Sequence, residues 1–271
     1  MKGHLDLVCA VDSEGRSFLR EQSFSAPMHL SKPFTDAETL VVNVVNPTAG
    51  LFSGDEIECS VRVKNGARLL LTSPSASRVH RAREGMAAAR MRQRFSVACD
   101  GFLEVLPEIF IPQAGSIYAQ QTRVDVEPGA TLLLWETLTP GRVASGEAWE
   151  FAQLDWETDV FFGSEKIVRE RYALSPADES LRSLRGRFPA AYYASCFALG
   201  EPFGASAECW AAIHALHEDA SAWIGCSRFA NGGGVVKVLA ENSVVMRAKL
   251  REIRRLLYTA LGRCAPNLRR F

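Results

Sequence analysis

The feature that most restricts the fold of this chain is an internal echo. Val63-Lys-Asn-Gly66-Ala67-Arg-Leu69-Leu70-Leu71 returns as Val126-Glu-Pro-Gly129-Ala130-Thr-Leu132-Leu133-Leu134. A weaker relative, Val97-Ala-Cys-Asp-Gly101-Phe-Leu103, lies between them. A strand end, a glycine turn and a second apolar strand, recurring every few tens of residues, is what stacked β-coils or repeated hairpins produce. The surrounding segments agree. Residues 39–45, 57–63, 68–72, 90–97, 102–106, 131–137 and 167–174 read as short strands bounded by Asn65-Gly66, Asp100-Gly101, Pro128-Gly129 and Pro140-Gly141. Within 57–63, Ile57, Cys59, Val61 and Val63 alternate with Glu58, Ser60 and Arg62, the period of a half-buried strand.

The pattern changes after residue 205. Residues 206–219 read as a short helix with Ser206 as its cap, 222–229 and 235–239 as strands joined by Asn231-Gly232-Gly233-Gly234, and 244–261 as the clearest helix in the chain. No linker or low-complexity stretch divides the sequence, so residues 1–271 read as one domain, strand-rich over 1–205.

Hydrophobic residues make up 47% of the chain and charged residues 23%, which places it among globular proteins and away from disordered ones. Lys plus Arg and Asp plus Glu both number 31, so the chain lacks the cationic excess that generic nucleic-acid binding uses. The seven cysteines are scattered without a C-x-x-C pair and read as reduced, mostly buried residues. The first residues carry no signal-peptide core and no stretch is long enough to span a membrane, so the expected compartment is the cytoplasm. Cations crowd the last helix and tail: Arg247, Lys249, Arg251, Arg254, Arg255, Arg263, Arg269 and Arg270 face Glu252 alone. That run is either a solvated helix face or a docking surface for an acidic partner, with Arg254 and Arg255 as its candidate contacts.

Nucleotide and hydrolase signatures are absent: there is no P-loop, dinucleotide fingerprint, H-E-x-x-H or G-x-S-x-G elbow. The glycine run at 232–234 lacks the Lys-Ser/Thr of a phosphate cradle and reads as a loose loop. His214-x-x-His217 with Glu218 has ligand-like helical spacing, although histidines on an Ala-rich helix are more often plain surface or core residues. His80, in a basic hydroxyl-rich segment, reads as ordinary solvated polarity. Two carboxylates stand out. Asp55 follows a glycine-bounded turn, and Glu136 follows an apolar run that reads as buried on both faces, with Arg142 as a candidate partner. A β-solenoid hydrolase using Asp55 and Glu136 as acid and base, and a β-rich interaction module without a metal role, are both compatible with these residues.

The ordered motifs Asn46-Pro-Thr-Ala-Gly-Leu-Phe-Ser-Gly-Asp55, Leu69 to Arg81, Leu103-Glu-Val-Leu-Pro107 and Ile111-Pro-Gln-Ala-Gly115 resemble the UreD (UreH) family of urease accessory proteins. The resemblance continues through Leu132-Leu-Leu-Trp-Glu136, Gly141-Arg142 with Gly146-Glu147, Arg169-Glu-Arg171 and Asn267-Leu-Arg-Arg-Phe271, covering about 20–271. The sequence departs from the family pattern at Ala49 and Ser53, where glycines are usual, and at His80. The resemblance implies a mainly β domain with a β-helical, superhelically wound strand arrangement and two α-helices in the C-terminal half. It also implies a nonenzymatic chaperone that assembles with UreF and UreG on the urease apoprotein, with nickel as transient cargo and no tightly bound cofactor. The family's acids proposed to line a nickel passage fall on Asp55, Glu136 and Glu170. Oxygen ligands suit such a path, since Cys or His clusters would trap an ion so high in the Irving–Williams order.

Overall fold

The computed structural model describes residues 1–230 and 232–268; Asn231 of the glycine-rich connection and Arg269, Arg270 and Phe271 of the basic tail lie outside them. The chain opens with β1 (Lys2–Val11), β2 (Ser17–Phe24), β3 (His29–Leu30), β4 (Phe34–Asp36) and β5 (Thr39–Val45). Next come β6 (Glu56–Val63), β7 (Arg68–Thr72), β8 (Ser77–Val79), β9 (Ala89–Val97), β10 (Phe102–Leu106), β11 (Phe110–Pro112), β12 (Ile117–Val126) and β13 (Thr131–Leu138). The last part holds β14 (Gln153–Phe162), β15 (Glu165–Leu174), α1 (Glu179–Arg187), β16 (Tyr192–Leu199), α2 (Glu201–Ala205) and α3 (Ala207–His214). It closes with β17 (Ala222–Arg228), β18 (Gly233–Ala240) and α4 (Ser243–Ala260).

The echo resolves as stacked coils. β6–β7, β9–β10 and β12–β13 are successive turns of a β-helix: their first strands stack in parallel in one sheet, with Val63 beside Val97 beside Val126. Their second strands stack in parallel in another, with Arg68 beside Phe102 beside Thr131. The turn of each coil needs one left-handed residue, supplied by Gly66 at φ 69° and Gly129 at φ 81°. In the middle coil Asp100 takes that position at φ 59°, so its glycine comes one residue late, and this is why the middle copy looks weaker.

The first sheet runs β15-β14-β12-β9-β6-β1-β2, parallel from β14 to β1 and closed by an antiparallel strand at each edge. The second runs β17-β18-β16-β13-β10-β7-β5-β3, parallel from β13 to β5 and antiparallel beyond. Between the ends of these strands, β8 and β11 and the Leu51–Val79 bridge form a short third wall. The inward residues Leu5, Leu7, Val61, Val63, Leu69, Leu103, Leu132 and Leu134 fill the space between the sheets. The inward alternation of Ile57, Cys59, Val61 and Val63 holds.

The outer face of the second sheet is covered by α2, α3 and α4, which pack Phe203, Trp210, Ile213, Ile253 and Leu257 onto Trp135, Cys196 and Val236. α4 starts at the Asn242 cap, whose side chain accepts from the Val244 and Val245 amides. α3 is shorter than its pattern suggests: capped by Ser206 as expected, it stops at His214, and Glu218 turns back to bond with Ala222. α1 and α2 are additional to the two expected helices. The glycine run is also corrected, because Gly233 and Gly234 lie inside β18. A Cβ on Gly233 would meet the Ala198 carbonyl oxygen at 2.2 Å, and one on Gly234 the Ser227 carbonyl oxygen at 2.5 Å, so close strand approach explains those two glycines. No helix among the described residues is long and apolar enough to cross a membrane.

Candidate functional site: a polar seam between the sheets

A cavity of about 320 Å³ lies inside the coils. It reaches the surface at exposed Thr48, Ser75 and Ser77, and its inner wall includes Tyr118, Gln120, Glu136 and Trp156. Most of the lining is apolar, including Ile57, Leu71, Phe95 and Leu134, but on β12 polar residues stand where strand alternation would otherwise put aliphatic ones. The Tyr118 hydroxyl donates to Gln120 Oε1 at 2.8 Å, the Gln120 amide to Thr122 Oγ1 at 3.3 Å, and the Thr122 hydroxyl to Gln93 Oε1 at 3.1 Å. Strand register makes this a ladder, with Gln93, Thr122, Thr158 and Glu170 side by side across β9, β12, β14 and β15.

Glu136 projects into the seam from β13 and is 4% exposed. Its Oε1 accepts from Trp156 Nε1 at 2.9 Å and from the Thr158 hydroxyl at 2.7 Å, and its Oε2 from the Ser195 hydroxyl at 3.4 Å. Burial pushes its carboxyl up to about 6, hydrogen bonds from Trp156 and Thr158 oppose that rise, and the nearby Glu170 charge adds to it. All the partners that bond to it are neutral donors. Arg142, the candidate partner, lies elsewhere and pairs with Glu147, because the turn through Gly146 folds Glu147 back onto it.

Glu170 meets Glu136 from the facing sheet. It accepts from the Tyr193 hydroxyl at 2.8 Å and from the Lys237 ammonium. In the second sheet Glu136, Ser195 and Lys237 are themselves neighbours in register across β13, β16 and β18. The structure thus brings Glu136 and Glu170 into one seam with Thr158, Tyr193, Ser195 and Lys237.

Asp55 stands apart from it. It is buried at the end of the Gly50–Asp55 turn, where Oδ1 bonds to the Met1 amino group at 2.6 Å and Oδ2 accepts from the Phe52 amide at 2.8 Å; it is not among the residues that line the cavity. Asp55 and Glu136 therefore do not share a wall as an acid–base pair would. The turn itself is tightly built: Gly50, at φ 144°, lies against the Arg78 carbonyl, and His80 stacks on Phe52 at 4.4 Å while its Nε2 meets the Ala49 carbonyl oxygen.

The cationic helix divides into two faces. Arg254 turns inward to fully buried Glu104 of β10, donating from Nε and Nη2 at 2.8 Å each, while Arg247 pairs with Glu108 at 2.7 Å. Arg255 stays outside, paired with Glu252 one turn back. Arg254 and Arg255 therefore do not form one surface, since only positions three or four apart share a helix face and these two are consecutive. His217 donates from Nε2 to Asp219 at 2.8 Å and accepts from the Ile224 amide on Nδ1, and Glu218 is engaged by Lys249 and Ser221. Among the described residues no three His, Cys, Asp or Glu side chains converge in a metal-holding group.

The chain matches the family described as UreD urease accessory protein over residues 1–271. It is 42% identical over 270 residues to the urease accessory protein UreD of Opitutus terrae, covering 97% of both chains. It is 30% identical over 174 residues to that of Acetivibrio thermocellus, covering 64% of this chain and 66% of the relative. To that of Haloarcula marismortui it is 29% identical over 256 residues, covering 92% and 83%. This whole-length match places the chain in the UreD family of urease accessory proteins.

Proposed function

We propose that this chain is a non-catalytic urease maturation factor of the cytoplasm, which scaffolds UreF and UreG on the urease apoprotein and assists delivery of nickel along its interior. The observation that carries the reading is Glu136, a carboxylate placed deep between two sheets at the inner wall of a cavity that reaches solvent. A buried acid raises the cost of folding unless its site has another use. Here it has hydroxyl and indole neighbours only, and a second carboxylate, Glu170, follows it along the seam. Carboxylates backed by hydroxyl groups hold nickel weakly enough for release, which a carrier path requires. Asp55, engaged by the Met1 amino group and the Phe52 amide outside the cavity, would join this path only as an outlying member.

Glu136→Ala and Glu170→Ala are expected to lower the nickel content and activity of coexpressed urease at limiting nickel while the complex with UreF still forms. Asp55→Ala tests whether the path extends to the turn. Metal analysis of the purified urease decides the matter: wild-type loading by both the Glu136 and Glu170 variants would reduce the protein to a scaffold. Docking is tested separately. Arg255→Glu is expected to weaken copurification with the partner with little change in thermal stability, because its ion pair with Glu252 is exposed and screened by solvent.

A further inference from the structure

We propose that Lys237 is a tethered counter-ion that caps the outer end of the seam: its ammonium occupies the place a divalent cation would take on Glu170, and it swings aside for the ion to pass. The inference rests on the reading of the seam as a nickel path and adds the residue that meters it. Glu170 is nearly enclosed, its side chain 12% exposed, whereas the Lys237 side chain is 47% exposed. The carboxylate is thus fixed, by the Tyr193 hydroxyl among others, and the cation on it is the mobile member. An ammonium on a four-carbon stem is a compact point charge with several rotatable bonds, so it leaves and returns with little rearrangement, unlike a bidentate guanidinium.

The charge balance gives this cap a purpose. Glu136 and Glu170 together present two negative charges in one seam, which attract a divalent cation more than either carboxylate alone. A tethered positive charge at one end competes with the ion, lowers its residence, and restores the condition of ready uptake with easy release. Lys237 is also placed by the backbone for this task, since it lies in register with Ser195 and Glu136 on its own sheet while reaching Glu170 on the other. In the absence of an ion it pairs with Glu170, so the enclosed carboxylate is not left without a partner.

The test is nickel binding by equilibrium dialysis of the purified full chain. Lys237→Met, which keeps the stem and removes the charge, is expected to bind Ni2+ about tenfold more tightly, the scale of one charge-assisted contact. Lys237→Arg should bind no more tightly than wild type, and the double variant Lys237→Met/Glu170→Gln should lose the gain. Lys237→Gln substitutes for the Met variant if thermal melting shows that variant to be misfolded. Wild-type affinity in the folded Lys237→Met or Lys237→Gln protein, with Glu136→Gln and Glu170→Gln weakened, would overturn the cap and leave the path standing. Unchanged nickel binding in the Glu136→Gln and Glu170→Gln proteins would remove the path, and the cap with it.

Discussion

Arg254→Ala is expected to destabilise the protein by about 3–5 kcal/mol, the effect of removing one partner from a buried ion pair. Glu104 is fully enclosed and accepts from Arg254 Nε and Nη2, from the Tyr258 hydroxyl at 2.7 Å and from Trp135 Nε1 at 3.2 Å. Truncating Arg254 leaves its charge with two neutral donors in an apolar layer of Phe102, Leu133 and Leu257. The cost arises from the stranded carboxylate, so the double variant Glu104→Gln/Arg254→Met should recover most of the loss. Urea unfolding at neutral pH measures both, with Arg255→Ala as the exposed control. Equal destabilisation by Arg254→Ala and Arg255→Ala would show that the buried pair is not what fixes α4 to the sheet.

Glu136→Gln is expected to stabilise the folded chain above pH 6, by on the order of 2 kcal/mol. The sign follows from the raised carboxyl: the folded state holds the Glu136 proton more tightly than the unfolded chain, so wild-type stability falls as pH rises from the ordinary glutamate range to about 6. Above that range the penalty is complete; below it, it vanishes. The glutamine retains an oxygen for Trp156 and Thr158, so the hydrogen bonds to that atom survive. Unfolding at a series of pH values should therefore show the variant and wild type converging toward acid. A difference that does not change with pH would mean that folding does not raise the Glu136 carboxyl above its value in the unfolded chain. If nickel passes through the seam, wild-type binding of Ni2+ should weaken as pH is lowered through the same window, because carboxylate ligands must be deprotonated.

The apolar parts of this architecture were readable from the chain. The echo marked the coil turns, and α4 was plain from its stripe. What escaped is informative. β12, with the sequence IYAQQTRVDV, turns Tyr118, Gln120 and Thr122 inward, so polar residues occupy positions where periodicity analysis looks for aliphatic ones. The strand that builds the polar wall is hidden by the same substitutions that make it polar. β16 was missed for a different reason: Ala194, Ser195, Cys196 and Ala198 are buried on both faces, and a run of small residues has no alternation to detect. Glu136 and its burial were readable from the apolar run before it, whereas Glu170 came from the family resemblance alone. Their partners did not, because Thr158, Ser195 and Lys237 meet them only through register across strands far apart in sequence.

The order of the strands along the chain has a consequence for biosynthesis. β1 and the coils from β5 to β13 stack chiefly on immediate predecessors, so each can settle on the last as it leaves the ribosome. The second half of the seam comes from later segments: Ser195 and Lys237 lie on β16 and β18, and the arginine that neutralises Glu104 is 150 residues downstream of it. Until those segments arrive, Glu104 lies on the sheet face that α4 later covers and Glu136 on edge strand β13, which defers the burial of both charges. The seam between the sheets is thus enclosed late rather than coil by coil, and a nascent chain stalled before β18 would present stacked coils with an open trough in place of an enclosed seam.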